Sequence, residues 1–177
     1  MSFDDGQSDL IRRAQRGDGG AFAELLQPEY RSAIRLANAL LHDMDEAEDA
    51  VQEAAVKAWR KLDQLREGWP LRPWFLAIVA NQCRSVRRTR WWTTRTSEPP
   101  RDVEATTIDL TAAIDLRSAL ARLDYDKRLV LVLRYYLDMP IEEIAVTLAI
   151  TPKAARSRLD RAVNRLRPIL RVQEAVS

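Results

Sequence analysis

Two runs of charge stand out as the residues able to do chemistry. Between Asp43 and Glu53 the chain carries six carboxylates and no base, while from Lys153 to Arg171 it carries seven cations opposed only by Asp160. A net charge of +2 conceals this segregation. The local field at a surface selects its partner, so the first run suits a basic protein surface and the second suits phosphate. A third group, Arg84, Arg87, Arg88 and Arg90, has no carboxylate beside it in sequence; four such cations repel one another unless phosphate or another anion is present. Catalysis has little to work with. The one histidine, His42, lies among Asp43, Asp45 and Glu46 without a partner motif, and the one cysteine, Cys83, excludes an intrachain disulfide and any multi-cysteine metal site. Cys83 reads as a small buried hydrophobe, and neither a metal, a cofactor nor an enzyme activity is expected.

The elements that must position these charges are helices. Glycine is scarce, strand-like alternation is absent, and apolar residues recur at three- and four-residue spacing, which predicts an all-α fold. The segment Thr93 to Thr107 breaks the pattern: it holds Pro99-Pro100, many hydroxyl residues and one sizeable apolar side chain, too little to order itself. Two helical domains joined by a flexible linker follow, residues 1–92 and 109–177 with 93–108 between them. Ser8 or Asp9 is positioned to cap a first helix ending near Gly17, and Gly19-Gly20 to open a second that Pro28 could kink. Further helices are predicted over about Asp45 to Leu65, Pro73 to Arg90, Leu110 to Leu123, Asp126 to Leu137, Pro140 to Leu148 and Pro152 to Leu170. No apolar stretch approaches the roughly 20 residues that span a bilayer, and the start Met1-Ser2-Phe3-Asp4-Asp5 lacks an export signal, so a cytoplasmic chain without membrane insertion is expected.

On the third helix Ala47, Ala50, Val51, Ala54, Ala55, Ala58 and Leu62 share a stripe that must pack inward. The opposite side presents Glu46, Asp49, Glu53 and Arg60, flanked by Glu48 and Gln52. Asp49 and Glu53 lie one turn apart and repel, which leaves two readings: a solvated face, or a docking surface where a basic partner relieves the repulsion. In the fourth helix Trp74, Leu76, Ile78 and Val79 read as core and the arginines behind them as an anion-binding tail.

Pro140 to Leu159 has the length and turn spacing of a helix-turn-helix, with Thr151 able to cap the second helix and Pro152 presetting its first turn. Ala155, Leu159, Ala162, Val163 and Leu166 form its apolar stripe against Ile144, Ala145 and Leu148. Lys153, Ser157, Arg161 and Asn164 point away, with Arg156 and Arg158 on the borders: a basic face, solvated or laid in a major groove.

Three blocks resemble the extracytoplasmic-function sigma factors of the sigma-70 superfamily. Asp45 to Trp59 (DEAEDAVQEAAVKAW) is similar to the family's acidic polymerase-binding helix, with Ala47-Glu-Asp49, Val51-Gln-Glu53 and Ala58-Trp59 in register. Leu71 to Arg90 resembles its proximal-promoter helix, although Ser85 replaces the usual acidic residue four after the asparagine. Glu143-Ile-Ala145, Leu148, Arg156-Ser-Arg-Leu159 and Arg161-Ala162 match its distal-promoter reader, although Ala149 replaces the usual turn glycine and Lys153-Ala154-Ala155 the usual Gly-Thr-Val. If the turn needs a left-handed backbone, Ala149 costs about 1 kcal/mol.

The resemblance implies a transcription initiation factor that binds bacterial RNA polymerase core enzyme and promoter DNA. It implies polymerase contacts from Glu48, Asp49, Gln52 and Glu53. Proximal-element contacts would come from Trp69, Asn81, Arg84, Arg87 and Arg88, with Trp69 stacking on a base flipped from the melted strand. Distal-element contacts would come from Lys153, Arg156, Ser157, Arg158 and Arg161. Family members are commonly held by an anti-sigma factor, so one is an expected partner. The alternative is a helix-turn-helix regulator that acts without polymerase, which leaves the acidic helix and the arginine helix without a task.

Overall fold

The computed structural model describes residues 3–65, 69–96 and 118–174, and all regular structure among them is helical. Helix α1 runs Phe3–Gln15, starting ahead of the Ser8 or Asp9 cap predicted for it. Asp9 instead lies 3.8 Å from Arg12, one turn on. The chain then reverses through Gly17 at φ +95°, a left-handed backbone that glycine adopts without strain. Asp18 caps α2 (Gly19–Leu41) by accepting from the Ala21 amide at 3.0 Å, and that bond, with Arg13 at 2.8 Å second, holds its carboxyl below the usual range. Pro28 sits inside α2, which continues through it and buries Leu25, Leu26, Leu36, Leu40 and Leu41.

Asp43 caps α3 (Met44–Arg60) through the Glu46 amide, and Asp45 and Glu46 in the first turn complement the helix dipole. The helix stops short of the predicted Leu65. Lys61 leaves helical geometry at φ −108° and ψ 9°, and a single 3-10 turn, Leu62–Gln64, follows. Leu62 and Leu65 both bury, and the Gln15 side chain donates to both their carbonyls, so packing against α1 replaces the last turn. Helix α4 (Leu71–Thr96) outruns its predicted span at both ends and reaches four residues into the expected linker; the rest of that linker lies outside the described residues. Pro73 falls in the first turn, where its missing N–H has no carbonyl to seek. Leu71, Phe75, Leu76, Val79, Ala80 and Cys83 form the buried face of α4. Helices α2, α3 and α4 pack against one another, with α1 against α2.

Of the helix predicted over Leu110 to Leu123, residues 118–121 are described and are helical. Asp124 then caps α5 (Tyr125–Leu131), which passes into a π-helical turn, Val132–Tyr136, where continuous α-helix was predicted. Helices α6 (Ile141–Leu148) and α7 (Pro152–Glu174) are joined at Ala149, which is left-handed at φ 53°. The alanine in place of the turn glycine therefore carries the predicted strain. Both α5 and α6 pack on α7, α6 packs on α4, and α2 meets α5 and the π-helical turn.

Arginine ties the two halves together. Arg35 donates to the Tyr136 carbonyl at 2.7 Å with its guanidinium 4.2 Å above that ring, and Arg72 donates to the Leu137 carbonyl at 2.9 Å. Arg72 also lies 3.6 Å from Glu29 and 4.0 Å from Glu143, one cation between two carboxylates. Burial raises the Glu29 carboxyl above its ordinary value; Arg72 opposes that shift and Glu143 adds to it.

Candidate functional site

Helix α3 divides cleanly in two. Ala47, Ala50, Val51, Ala54 and Ala58 are each 0 to 1% exposed, so small side chains let α2 and α4 approach closely on that side. Trp59 sits at its end, packed edge-on against Phe22 with centroids 5.0 Å apart. The other side presents Glu48, Asp49, Gln52 and Glu53, all exposed, and none has an ion pair or hydrogen bond with a described residue. Four acceptor-bearing side chains over two turns, on a scaffold pinned from behind, form a pre-organised face for cations.

The arginine tail of α4 differs from its sequence reading. No carboxylate neighbours it along the chain, yet folding supplies two: Arg84 pairs with Asp126 of α5 at 2.5 Å, and Arg90 with Glu46 of α3 at 3.1 Å. The expected lack of a nearby counter-charge holds in sequence and fails in space. Arg84 and Arg87 also lie over the Tyr125 ring, 4.7 and 5.4 Å from its centroid, while the Tyr125 hydroxyl donates to the Ala80 carbonyl at 2.5 Å. Burial pushes that hydroxyl above the ordinary phenol range more strongly than the two arginines draw it down, so it stays protonated as a donor. Asn81 and Arg88 remain exposed on the same helix. Trp69 is 48% exposed ahead of α4; residues 66–68 of its predicted loop lie outside the described residues. Cys83 is buried, and burial lifts its thiol to about 12, too high for a thiolate at neutral pH.

In the helix-turn-helix, Thr151 accepts from the Ala154 amide at 3.2 Å, as its spacing predicts. Ala155 and Ala162 are fully buried, with Leu159, Val163 and Leu166 packed against the core. Lys153, Arg156, Ser157 and Arg161 are exposed and Arg158 half-buried. Arg158 and Arg161 share a shallow cleft of about 270 Å³ with Asp124, Asp126 and Lys127. Asp126 thus stands between the basic helices α4 and α7. Sequence reasoning missed Tyr125 and Asp126, because forty-two positions separate Asp126 from Arg84 and no local spacing links them. Among the described residues, no helix is long and apolar enough to cross a membrane.

Comparisons with known proteins agree with this layout. The family pattern described as Sigma-70 region 2 matches residues 25–93, and that described as Sigma-70, region 4 matches residues 113–166. RNA polymerase sigma factor NccH of Alcaligenes xylosoxydans xylosoxydans is 30% identical over 91% of this chain and 92% of its own length. The extracytoplasmic-function RNA polymerase sigma factor SigL of Mycobacterium tuberculosis is 30% identical over 78% of this chain and 80% of its own. Among solved structures, CnrH in complex with the cytosolic domain of CnrY aligns with a TM-score of 0.71 at 25% identity, covering 94% of this chain and 98% of that one. The sigma factor RpoE bound to the anti-sigma factor NepR from Bartonella quintana aligns at 0.67 and 28% identity, covering 85% and 97%. The chain therefore belongs to the extracytoplasmic-function group of the sigma-70 family, the RNA polymerase sigma factors.

Proposed function

We propose that this sigma factor grips core polymerase through Glu48, Asp49, Gln52 and Glu53 and holds promoter DNA through two separate basic helices. The single observation that carries this reading is the acidic face of α3: exposed, unpaired within the described residues, and backed by a fully buried alanine stripe. Residues 1–92 would act as the polymerase and proximal-promoter domain and residues 109–177 as the distal-promoter domain, joined by the linker 93–108. Asn81, Arg84, Arg87 and Arg88 would contact the proximal element, with Trp69 stacking on an unpaired base. Lys153, Arg156, Ser157, Arg158 and Arg161 would contact the distal element, the arginines and the α7 N-terminus taking phosphate while the leading side chains reach base edges. The chain itself would catalyse no step and would work in the cytoplasm. By analogy with the RpoE–NepR complex, an anti-sigma factor would hold it inactive. Run-off transcription with bacterial core polymerase and candidate promoters tests the proposal. Specific transcripts that require the chain support it, and their absence across a promoter library despite polymerase binding would defeat it.

A further inference from the structure

We propose that Asp126 and Tyr125 form an intramolecular latch that occupies Arg84 and Arg87 when the chain is free, so that the closed arrangement and promoter phosphate compete for the same guanidinium groups. The inference rests on the proposed role of those arginines in DNA binding. Four observations converge on it. The Asp126 carboxylate pairs with Arg84 at 2.5 Å, a distance and charge that a phosphate oxygen would reproduce. The Tyr125 ring lies beneath both guanidinium groups, and its hydroxyl is anchored to the Ala80 carbonyl of α4 itself. Asp126 also lines the cleft that holds Arg158 and Arg161 of α7, so one carboxylate faces cations of both basic helices. The α3 face is left open by the same arrangement, since Glu48, Asp49, Gln52 and Glu53 are all exposed.

The asymmetry has a functional consequence. A closed chain can dock on polymerase with its acidic helix while its proximal arginines remain engaged in cis, and DNA must displace Asp126 to gain them. The Arg84–Asp126 pair is about half exposed, with side chains at 52% and 49%. The latch is consequently weak, of the kind a duplex can open, and its removal is worth roughly a threefold gain in DNA affinity.

The test measures binding of the full-length chain to a fluorescein-labelled duplex of about 30 base pairs by anisotropy at low salt. Asp126→Asn keeps the shape of the side chain and removes its charge. The expected result is DNA binding about threefold tighter for Asp126→Asn in the parental chain, and no change when Asp126→Asn is introduced beside Arg84→Gln and Arg87→Gln. Equal affinity of Asp126→Asn and the parental chain, or the same gain in both backgrounds, would overturn the latch; the latter would mark a general charge effect. The underlying DNA-binding role fails by a different result: Arg84→Gln with Arg87→Gln leaving affinity unchanged in the Asp126→Asn chain.

Discussion

Replacing Arg128 by methionine should cost about 3 kcal/mol of stability, and the structure shows why. The guanidinium is 2% exposed and surrounded by acceptors. Its Nε donates to the Leu120 carbonyl at 2.9 Å, one terminal nitrogen donates to Ala121 at 2.8 Å and Leu123 at 3.2 Å, and the other donates to Leu40 at 3.1 Å and lies 3.2 Å from His42 Nε2. The last carbonyls of α2 and of the helical turn 118–121 thus converge on one cation, the arrangement that helix dipoles favour. Burial lowers the Arg128 pKa to about 10, which still leaves it charged at neutral pH. Methionine fills the stem's volume and strands four carbonyls at about 1 kcal/mol each, against which the charge no longer has to be desolvated. A net loss of about 3 kcal/mol corresponds to a fall of roughly 6 to 12 °C in Tm for a chain of this size. Circular dichroism melts and urea titrations of the parental and Arg128→Met chains would read it. A loss below about 1 kcal/mol would show that water or neighbouring amides satisfy those carbonyls, and the convergence would not be a stabilising feature.

Three further outcomes follow from the same geometry. Ala149→Gly should raise stability by about 0.5 to 1 kcal/mol, seen as a higher Tm, because glycine takes the left-handed backbone at φ 53° without strain. Glu29→Gln should melt at or above the parental temperature at pH 7, with the gap closing as pH falls. The reason is that a carboxyl whose folded pKa is raised contributes stability that is present at low pH and lost as pH climbs through that pKa. Arg156→Ala and Arg161→Ala, both at exposed positions on α7, should each weaken duplex binding and lower the slope of log affinity against log salt by about 1, measured by anisotropy across a salt series.

Much of the scaffold was legible because its signals are local. The alanine stripe of α3, the Thr151 cap and the left-handed demand on Ala149 each depend on residues a few positions apart, and each appears where its spacing places it. The end of α3 was not legible. Nothing in residues 61–65 breaks a helix, and the chain departs there because Leu62 and Leu65 bury and Gln15, far away in sequence, bonds their carbonyls. The π-helical turn at Val132–Tyr136 has no composition that distinguishes it from α-helix. Charge pairing was legible in part. The acidic face of α3 is exposed as its wheel position implies, whereas Arg84 and Arg90 find carboxylates that only the packing of α5 and α3 on α4 brings near.

The central claim is that the acidic side of α3 is what polymerase holds. Titrating labelled full-length chain with bacterial core polymerase at low salt, for the parental sequence and for Asp49→Lys with Glu53→Lys, tests it most directly. Two attractive pairs made repulsive, at about 1.5 kcal/mol or more each, should weaken binding at least about a hundredfold while the circular dichroism spectrum stays helical. Undiminished affinity in the doubly reversed chain would contradict the account.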